Sequence, residues 1–550
     1  MNKTNSFKKM VLIFVLMIGC HQSNAQVYFI EFSNKKSNYS FTNPAAYLSN
    51  RAILRRTNQN IKIDSFDLPI VQQYVDSISA KGVKMIGKSK WLNGVLIATN
   101  DSAKLASIYQ FPFVKSHLQV KNKISKSLST ISKFETIKSN QNNVFNINDY
   151  GATATQIKMC NIDFLHRQGF TGKGLQIAVL DAGFINVDNN PAFQTIWNEN
   201  RILGFYDVVH QHDSVFTDAH HGASVLSCMA VNQPNNYIGT SPHASFYLYQ
   251  TEDIATEYPI EEYFWSIGAE KADSVGADLI NSSLGYNWFD DSKYNHAYQD
   301  MDGKTCVASK AASLAGLKGM IVCISAGNEG TNAWYHIGTP ADADPVLTVG
   351  SVTATNQHSS FSSYGYSADG RVKPTVCTMG ENTALINENN QVEWGSGTSF
   401  ASPLLCGMAA CLWQKYPNKS ALQVKKAIIE SANYYHYPTD SLGFGIPDFY
   451  IADKILGIHQ NIEDENNNVI IFPNPSKIGL SIFAVSTNNQ TGQITIFNTS
   501  GIPVFDKKFE TNHAQHLYLE YPETNHLPNG NYLVEVKLNS KTYSLKWIKL

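Results

Sequence analysis

The chain is poor in charged residues, and its charges nearly balance. Only 16% of its 550 residues are Asp, Glu, Lys or Arg, and the formal net charge is −2, whereas about a quarter of an ordinary globular protein is charged. Such a chain has no basic surface for nucleic acid, so we expect no nucleic acid among its partners. Hydrophobic residues make up 43% of it, which is enough for globular cores, and the length suits three or four domains.

The eight cysteines form none of the usual metal or redox spacings, because there is no Cys-x-x-Cys pair and no zinc pattern. Cys228, Cys323, Cys406 and Cys411 lie inside apolar runs, which predicts small buried side chains. A cysteine protease therefore has no support. Nothing indicates an organic cofactor or an oligomer, and we expect a monomer. The disulfide state stays open, since removal of a signal containing Cys20 would leave an odd number.

No apolar run after the N-terminal 25 residues is long enough to span a membrane. Near the N-terminus, three lysines precede the apolar run 10–19, and Ser23–Ala25 offers a small-residue cleavage site. Residues 1–25 are therefore predicted to be a secretory signal peptide, because a run of this length is too short to cross a bilayer. A partial lipobox ends at Cys20, so lipidation of this residue is an alternative.

The strongest local signal is the segment Trp394–Pro403, which is followed by the apolar run Leu404–Trp413. This pattern predicts a buried helix with Pro403 in its first turn, where the missing N–H of proline costs nothing. Ser399 would then lie just before the helix, facing its positive end and the free backbone N–H groups that can bind an oxyanion. Ser399 is a candidate nucleophile, although taken alone it would more simply be an N-cap.

Three other segments offer what a nucleophilic serine needs, namely a base, an orienting carboxylate and a second oxyanion donor. Asp181 follows the apolar strand pattern Leu175–Leu180, His221 opens an apolar helix pattern, and Asn328 follows the buried strand pattern Ile321–Ile324. Catalytic groups collect at the carboxyl ends of parallel strands. Each residue alone would more simply be a turn or cap residue, and only together do they indicate catalysis.

With Asp, His and Ser in this order, the chain resembles the subtilisin-like serine proteases. An α/β-hydrolase would place the serine first, in Gly-x-Ser-x-Gly. The resemblance implies Asp181 as orienter, His221 as general base, Ser399 as nucleophile and Asn328 as side-chain oxyanion donor. It extends to the strand that pairs with the substrate backbone, which corresponds to Ser283, Leu284 and Gly285, and to Gly327 in the facing wall of the cleft. The segment Gly443–Pro447 is similar to the family's closing motif.

Two positions depart from the family pattern. Ala182 replaces the hydroxyl residue that usually follows the aspartate, and Ser224 stands where many members have a second histidine. Neither change removes a reacting group, so they bear on the tuning of the site and not on its class. The pattern His-Gly aligns with His221 and Gly222, and not with His220.

Around these motifs the sequence divides into domains. Residues 150–457 alternate apolar strand patterns with helical ones, which predicts an α/β fold with a mostly parallel sheet and helices on both faces. Residues 26–120 predict a small α+β unit of ferredoxin-like type. In subtilases such a unit is a propeptide, which templates folding and inhibits the enzyme from its cleft; an unrelated binding module is the alternative. The Lys-, Ser- and Asn-rich residues 121–149 predict an exposed linker.

The C-terminal region begins with a second polar linker at 458–468. Residues 469–550 contain short strand patterns separated by turns, which predicts a small β-sandwich. Phe472–Pro475, Gly530–Val534 and the lysine-rich end resemble the C-terminal sorting domain of the type IX secretion system. The resemblance implies that this machinery is a partner, and that the protein passes the periplasm and outer membrane to the surface or medium. A carbohydrate- or protein-binding module is the alternative.

Together these features predict a secreted serine endopeptidase, made as a zymogen, that hydrolyses proteins or peptides through an Asp-His-Ser triad and an acyl-enzyme. A binding or adhesion protein on a degenerate subtilase scaffold is the alternative. Subtilases often bind structural calcium, but no ligand set can be assigned, and Asp342 and Asp344 are more simply turn residues. Tyr286, Trp288 and Phe289 favour a medium to large substrate pocket, and the preferred substrate residue stays open.

Overall fold

The computed structural model describes residues 25–36, 38–122, 150–458, 469–472, 474–476, 479–485, 490–511, 516–538 and 541–550. Residues 1–24 of the predicted signal peptide and nearly all of both predicted linkers lie outside these residues. The chain forms two compact units, one comprising residues 1–425 and 432–447 and the other residues 426–431 and 448–550. Among the described residues, no helix combines the length and the apolar character that crossing a membrane requires.

The N-terminal domain, residues 25–122, is an antiparallel four-stranded sheet with helices packed on it. Its elements are β1 (Val27–Phe32), α1 (Asn50–Asn58), α2 (Gln72–Ser79), β2 (Lys84–Ser89), β3 (Gly94–Ala98), α3 (Ser102–Tyr109) and β4 (Val114–Lys121). The strand order is β2-β3-β1-β4. Apolar side chains of β1 and β3 pack against Val75 and Ile78 of α2 and Ile108 of α3. The predicted two-layer α+β unit is confirmed, although the sequence reasoning did not find α1 or β2.

The sheet domain, residues 150–425 and 432–447, is built around a seven-stranded sheet in the order β13-β12-β11-β10-β5-β9-β6. Its elements are α4 (Ala154–Lys158), α5 (Asp163–Arg167), β5 (Gln176–Asp181), α6 (Gln194–Asn198), β6 (Ile202–Asp207), α7 (His221–Ala230), β7 (Asn232–Gln233), β8 (Tyr237–Ile238), β9 (Ser245–Gln250), α8 (Ile260–Val275), β10 (Leu279–Ser282), α9 (Val307–Leu317), β11 (Ile321–Ser325), β12 (Leu347–Val352), β13 (Val376–Met379), β14 (Thr383–Ile386), β15 (Val392–Gly395) and α10 (Thr398–Lys415). All neighbouring strands of the large sheet pair in parallel. Strands β10 to β13 are buried along their whole length, as expected for a parallel sheet covered on both faces. The predicted α/β fold is confirmed.

Helix α10 begins earlier than the sequence predicted. Ser399 is its second residue and Pro403 lies inside it, so the predictions that Ser399 precedes the helix and that Pro403 occupies its first turn are wrong. Proline has no N–H to donate to the carbonyl four residues back, and that carbonyl belongs to Ser399. The hydroxyl of Ser283 donates to this carbonyl at 2.8 Å instead. The proline thus leaves an acceptor that ties the helix to the residue that follows β10.

The N-terminal domain docks on helix α8 through a buried network of charges. Arg55 donates to Asp273, and Arg56 donates to both carboxylate oxygens of Asp273 at 2.8 Å. Arg56 also donates to Asp67 at 2.6 Å, and Lys318 donates to the other oxygen of Asp67 at 2.8 Å. No side chain of these five is more than 3% exposed. Removing one side chain of such a network leaves an opposite charge buried without an ion-pair partner, which is strongly destabilising.

A second carboxylate on α8 holds the turn between β2 and β3. Glu270 accepts hydrogen bonds from the backbone N–H of Lys90 at 2.8 Å and of Trp91 at 3.1 Å, and from the hydroxyl of Ser89. Burial is the main reason that the pKa of Glu270 is raised above its ordinary value, although these donors and Lys90 oppose the rise. The two carboxylates of α8 therefore anchor two separate segments of the N-terminal domain.

The second unit contains two antiparallel sheets, β16-β17-β20 and β19-β18-β21-β22. The remaining elements of the chain are α11 (Ala421–Glu430), which crosses the boundary between the units, α12 (Phe449–Ile458), β16 (Val469–Phe472), β17 (Leu480–Val485), β18 (Gln490–Phe497), β19 (Pro503–Thr511), β20 (His516–Tyr521), β21 (Gly530–Leu538) and β22 (Lys541–Lys549). Residues of both sheets, among them Ile482, Ile494 and Trp547, form one apolar core. The predicted small β-sandwich is confirmed.

The cysteines that the sequence placed in apolar runs are buried as predicted. Cys228, Cys323, Cys406 and Cys411 are each 0% exposed. Burial raises the pKa of Cys228 and Cys411 above the ordinary range of a thiol, so these thiols stay protonated and behave as small apolar side chains. Cys20 lies outside the described residues.

Candidate active site

Asp181 is the last residue of β5, and it lies at the carboxyl edge of the large sheet between β10 and β9. Its side chain is fully buried. One carboxylate oxygen, Oδ1, accepts hydrogen bonds from the backbone N–H of Ala182 at 2.8 Å and from Nδ1 of His221 at 2.6 Å. The carboxylate is therefore held in place by its own strand end and fixes the orientation of the imidazole.

His221 is the first residue of α7, and Gly222 lets this helix approach the end of β5. A Cβ on Gly222 would lie 2.4 Å from the carbonyl oxygen of Gly183 and 3.0 Å from Cβ of Asp181, so any other residue here would push the helix away. The imidazole of His221 is almost buried, whereas His220 is exposed. Of the two adjacent histidines, His221 is the one that contacts Asp181.

The second oxygen of Asp181, Oδ2, is buried, and in the described part of the structure it has no hydrogen-bond partner. The residue that follows is Ala182, which has no hydroxyl to offer. Where the family pattern has a hydroxyl residue, this chain has Ala182, and among the described residues the aspartate is held through one oxygen only. A buried acceptor without a donor is unfavourable by about 1–3 kcal/mol.

Ser399 and Asn328 meet at the N-terminus of α10. The side-chain oxygen of Asn328 accepts from both the N–H and the hydroxyl of Thr398 at 2.9 Å, which turns its NH₂ group away from Thr398. A Cβ on Gly397 would lie 3.6 Å from this NH₂ nitrogen and 3.7 Å from the backbone nitrogen of Ser399. The two nitrogens therefore border the same space. Asn328 is exposed and Ser399 is partly exposed, so substrate can reach both.

A cavity of about 310 Å³ opens beside Ser399. All four residues that the resemblance assigned to substrate binding line it, together with the candidate oxyanion donor and three acidic residues: Ser283, Leu284, Gly285, Gly327, Asn328, Glu252, Glu257 and Glu329. The structure thus brings the predicted binding residues and the predicted nucleophile to one cavity.

The sequence reasoning missed Glu252 and Glu257. They follow β9, whose carboxyl end reaches the same edge of the sheet as Asp181, and this position was the signal that could have found them. The phenol of Tyr286 donates a hydrogen bond to Glu252. Burial, and then the charge of Glu252, raises the pKa of Tyr286 well above its ordinary value, so the phenol remains a donor at neutral pH.

The end of the N-terminal domain reaches the loop that carries these acidic residues. Lys121, the last residue of β4, donates to Asp253 at 2.7 Å and to Thr256 at 2.9 Å. The next residue, Asn122, donates to Asp291 at 2.6 Å. The chain therefore leaves the described part of the N-terminal domain beside the loop that lines the cavity.

The structure offers two acidic groups as candidate cation ligands, Asp342 with Asp344, and Glu252 with Glu257 and Glu261. Asp342 is buried and already accepts from the hydroxyl of Ser309 and from the N–H of Gly303 at 2.7 Å, while the side chain of Asp344 is 81% exposed. Donors of the protein therefore already occupy Asp342, and neither aspartate is assigned as a calcium ligand. In the second group, Glu252 and Glu261 are likewise held by donors of the protein, which are the phenol of Tyr286 and the N–H groups of Asp253 and Tyr258.

A family model described as the subtilase family matches residues 172–446, which is half of the chain. The chain belongs to the subtilase family. The matched region contains Asp181, His221, Asn328 and Ser399, together with the cavity. Two further models match the flanking regions, a peptidase S8 propeptide domain of Bacteroidota at residues 27–141 and a secretion system C-terminal sorting domain at residues 470–550. These two domains indicate that this subtilase is exported to the cell surface or beyond.

Individual relatives match about half of this chain. Subtilisin amylosacchariticus of Bacillus subtilis subsp. amylosacchariticus is 30% identical over 277 residues, which are 49% of this chain and 63% of that protein. Serine protease AprX of Bacillus subtilis is 28% identical over 305 residues, 50% of this chain and 65% of that protein. The chain thus spans less than two thirds of the length of these relatives.

Among solved structures, MycP1 from the ESX-1 type VII secretion system is similar to this subtilase over 58% of this chain and 89% of that chain, with 20% identity and a TM-score of 0.44. The prenylagaramide maturation protease PagA is similar over 54% of this chain and 98% of that chain, with 21% identity and a TM-score of 0.42.

Proposed function

We propose that this subtilase is a secreted serine endopeptidase that hydrolyses peptide bonds through the triad Asp181, His221 and Ser399. The observation that carries the proposal is the buried 2.6 Å contact between Nδ1 of His221 and Asp181. The ring centre of this histidine lies 6.2 Å from that of Phe400, the residue after Ser399, and Ser399 lines the cavity together with Asn328. The donor and acceptor in this contact fix the tautomer of the imidazole, so Nε2 is left to accept a proton.

In the proposed mechanism, the hydroxyl of Ser399 attacks the carbonyl carbon of the scissile bond while His221 removes its proton. Asp181 stabilises the imidazolium that forms and does not itself take the proton. The NH₂ group of Asn328 and the backbone N–H of Ser399 donate to the oxyanion. His221 then protonates the leaving amine, and an acyl-enzyme on Ser399 remains. Water, activated by the same histidine, hydrolyses this ester and restores the serine.

The residues Ser283–Gly285 are the proposed partners of the substrate backbone, with Gly327 in the facing wall. Three carboxylates, Glu252, Glu257 and Glu329, line the cavity, and its described lining includes no Lys or Arg. We therefore expect peptides with Lys or Arg next to the cleaved bond to react faster than peptides with Glu or Asp there, by at least about tenfold in kcat/KM. Equal rates for both peptide sets would show that the carboxylates do not face the substrate.

The N-terminal domain is the proposed propeptide and inhibitor of the enzyme. Its docking through Asp273 and Glu270 of α8 and the position of Lys121 beside the cavity loop support this role. We propose the domain boundaries 1–25 for the signal peptide, 26–120 for the propeptide, 121–149 and 458–468 for linkers, 150–457 for the catalytic domain and 469–550 for the sorting domain. Structural calcium remains part of the expectation for the family, with no ligand set assigned.

The C-terminal sandwich is the proposed sorting signal that the type IX secretion machinery recognises. A chain that ends after residue 466 keeps α12 and loses both sheets of the sandwich. We expect it to be active and to accumulate in the periplasm, whereas the full chain reaches the surface or medium. Fractionation of cells that express each form measures this, and equal export of both forms would remove the sorting role.

The decisive experiment is labelling by a fluorophosphonate, a reagent that reacts with activated serines. The full chain or its processed form should be labelled, and Ser399→Ala should abolish both labelling and peptide hydrolysis while it leaves the fold unchanged. His221→Ala should lower activity by at least about 10⁴-fold, whereas His220→Ala, the matched control, should stay within about tenfold. An active Ser399→Ala variant would contradict the protease function, and an unlabelled, inactive parent would favour the binding protein.

A further inference from the structure

The loop after β6 collects four side chains of the types that bind metals, and none of them belongs to the proposed triad. Asp207 ends β6 and is fully buried, while His210, His212 and Asp218 are partly exposed, with side-chain exposures of 40%, 49% and 26%. The ligand atoms of Asp207, His210 and His212 all lie within 4.8 Å of one another. The group is therefore preassembled and open to solvent on one side.

We propose that these four residues bind one zinc ion. The distance from Oδ2 of Asp207 is 2.8 Å to Nδ1 of His210 and 3.4 Å to Nε2 of His212, and Nδ1 of His210 lies 3.7 Å from Oδ2 of Asp218. Zinc binds imidazole and carboxylate ligands tetrahedrally at about 2.0–2.1 Å, which places neighbouring ligand atoms about 3.3 Å apart. The three observed distances lie on both sides of this value. Asp218 is outside the group of three whose ligand atoms are all within 4.8 Å of one another, so its side chain has to move closer to complete the site.

The donor set selects the class of metal. Two imidazoles and two carboxylates suit zinc and its neighbours in the first transition series, whereas calcium and magnesium prefer sites made of oxygen alone. An anionic pair of aspartates also neutralises the charge of a divalent ion. This composition separates the site from the all-carboxylate group around Glu252, in which only oxygen ligands are available.

Neighbouring groups hold the two aspartates as outer partners hold the ligands of known metal sites. The other oxygen of Asp207 accepts from the backbone N–H of His210 at 2.8 Å, and the backbone N–H of Asp207 donates to the carbonyl of His212 at 2.9 Å. The amide of Gln250 donates to Asp218 at 2.6 Å. The side-chain oxygen of Gln250 is buried, and in the described part of the structure it has no hydrogen-bond partner.

Zinc binding requires a change of tautomer at both histidines. Nδ1 of His210 lies 2.8 Å from the carboxylate of Asp207, a contact that needs the proton on Nδ1, so zinc on this nitrogen moves the proton of the ring to Nε2. Nδ1 of His212 now accepts a hydrogen bond from the backbone N–H of Ser214 at 3.3 Å, so its proton is on Nε2, which faces Asp207. With zinc on Nε2, the proton of the neutral ring moves to Nδ1 and the long bond from Ser214 is lost. The loss is small beside a bond to a metal, and it gives the loop from 212 to 214 a zinc-dependent conformation.

The position of the site links it to the propeptide. Gln250 is the register partner of both Asp207 and Asp181 in the sheet, so the site lies two strands from the candidate triad. Between the two histidines, the amide of Gln211 donates to the carbonyl of Ile86 in β2. Zinc would therefore rigidify a loop that contacts the N-terminal domain, and we expect it to stabilise the full chain against heat.

The test is titration of zinc into the full chain by calorimetry. The protein carries Ser399→Ala so that it stays intact, has no histidine tag and is first treated with a chelator. We expect one zinc ion per chain, and His210→Ala and His212→Ala should each weaken its binding by at least about 100-fold. Asp218→Asn, which keeps the size of the side chain, should weaken it by about 10–100-fold. Circular dichroism of each variant shows that the fold is retained.

A second group of candidate ligands, Glu262, His296 and Cys306, supplies the matched controls. His296→Ala and Cys306→Ser should leave zinc binding unchanged. Cobalt in the proposed site should give the visible absorption of tetrahedral nitrogen and oxygen ligation, without the thiolate charge-transfer band that ligation by Cys306 would add. The absence of zinc binding, binding that survives His210→Ala and His212→Ala, or loss of binding in Cys306→Ser would each overturn the proposal. These results do not depend on whether Ser399 is a nucleophile.

Discussion

Two fully buried carboxylates in this subtilase are held in opposite ways. Asp181, in the cleft, is held through one oxygen by His221 and Ala182, and its other oxygen has no hydrogen-bond partner among the described residues. Asp273, on the docking face of α8, is surrounded by the three cations Lys90, Arg55 and Arg56. One oxygen of Asp181 thus lacks a hydrogen-bond partner among the described residues, whereas Asp273 contacts three cationic side chains.

The difference follows from what each carboxylate must do. Burial alone would raise the pKa of Asp273, but the charges of Lys90, Arg55 and Arg56 outweigh it and lower this pKa to about 2. Asp273 is therefore charged at any pH well above 2, and its full set of partners makes it a fixed anchor. In the proposed mechanism Asp181 must respond to the charge that appears on His221 during the reaction, so competing cations around it would weaken that response.

The largest expected effect is that of Asp181→Asn. An amide in this position favours the wrong tautomer of His221, so kcat for peptide hydrolysis should fall by about 10⁴-fold. The thermal unfolding of the variant should change little, because the amide has nearly the same volume. Kinetics and calorimetry on the processed enzyme measure the two quantities. A variant that retains most of its activity would show that Asp181 is not the orienter.

The same substitution at the other carboxylate, Asp273→Asn, should have the reverse profile. It leaves Arg55 without its carboxylate in a buried site, which should destabilise docking of the N-terminal domain by about 3–5 kcal/mol. Hydrogen exchange of α1 in the intact Ser399→Ala chain measures this, since undocking exposes that helix. Glu31→Gln, which breaks the exposed pair with Lys115, is the control and should stay below about 1 kcal/mol. Equal protection in both variants would remove the anchoring role of Asp273.

Asn328→Ala tests the electrostatic part of the cleft alone. Loss of one oxyanion donor should lower kcat by about 10²–10³-fold with little change in KM, which corresponds to about 2.7–4 kcal/mol. The substitution also removes the acceptor of the N–H and hydroxyl of Thr398, which is buried, so circular dichroism of the variant has to show that the fold is retained. A change confined to KM would instead make Asn328 a residue that binds the substrate in its ground state.

The contribution of Asp273 to stability should be lost only in strong acid. The pKa of Asp273 in the docked protein is about 2, below the value of about 3.9 for a free aspartate, so its contribution to stability is complete above about pH 4 and is lost as the pH falls towards 2. The expected loss is about 2–3 kcal/mol. Urea unfolding of the Ser399→Ala chain, with and without Asp273→Asn, should show curves that converge over this range. A constant difference between them would mean that Asp273 does not titrate there.

The cleft could be found in the sequence because each of its residues carries a local signal. Asp181 ends an apolar strand, His221 and Gly222 open an apolar helix, and Ser399 follows a glycine-rich segment at the start of another. The predicted start of helix α10 was wrong. A proline is tolerated inside a helix when another donor satisfies the carbonyl four residues before it, and here that donor is the hydroxyl of Ser283. No local pattern indicates that donor.

The docking face and the proposed zinc site could not be found in this way. Arg55 and Asp273 are 218 positions apart, and each looks like an ordinary charged residue of a solvent-exposed helix. Asp207, His210 and His212 are close in sequence, but their alignment depends on the end of β6, an edge strand with Gly204 in its middle that the apolar pattern did not reveal. The carboxylates of the cavity depend likewise on β9 ending beside β5.

The contact of Lys121 with Asp253, and of Asn122 with Asp291, also bears on the order of the maturation reaction. The linker starts at the rim of the cavity of its own chain, at an effective concentration that dilution of the protein does not alter. If cleavage in that linker uses this proximity, its rate is first order, with the same half-time at nanomolar and micromolar protein. A chain inactivated at Ser399 would then be processed by active copies only in proportion to their concentration.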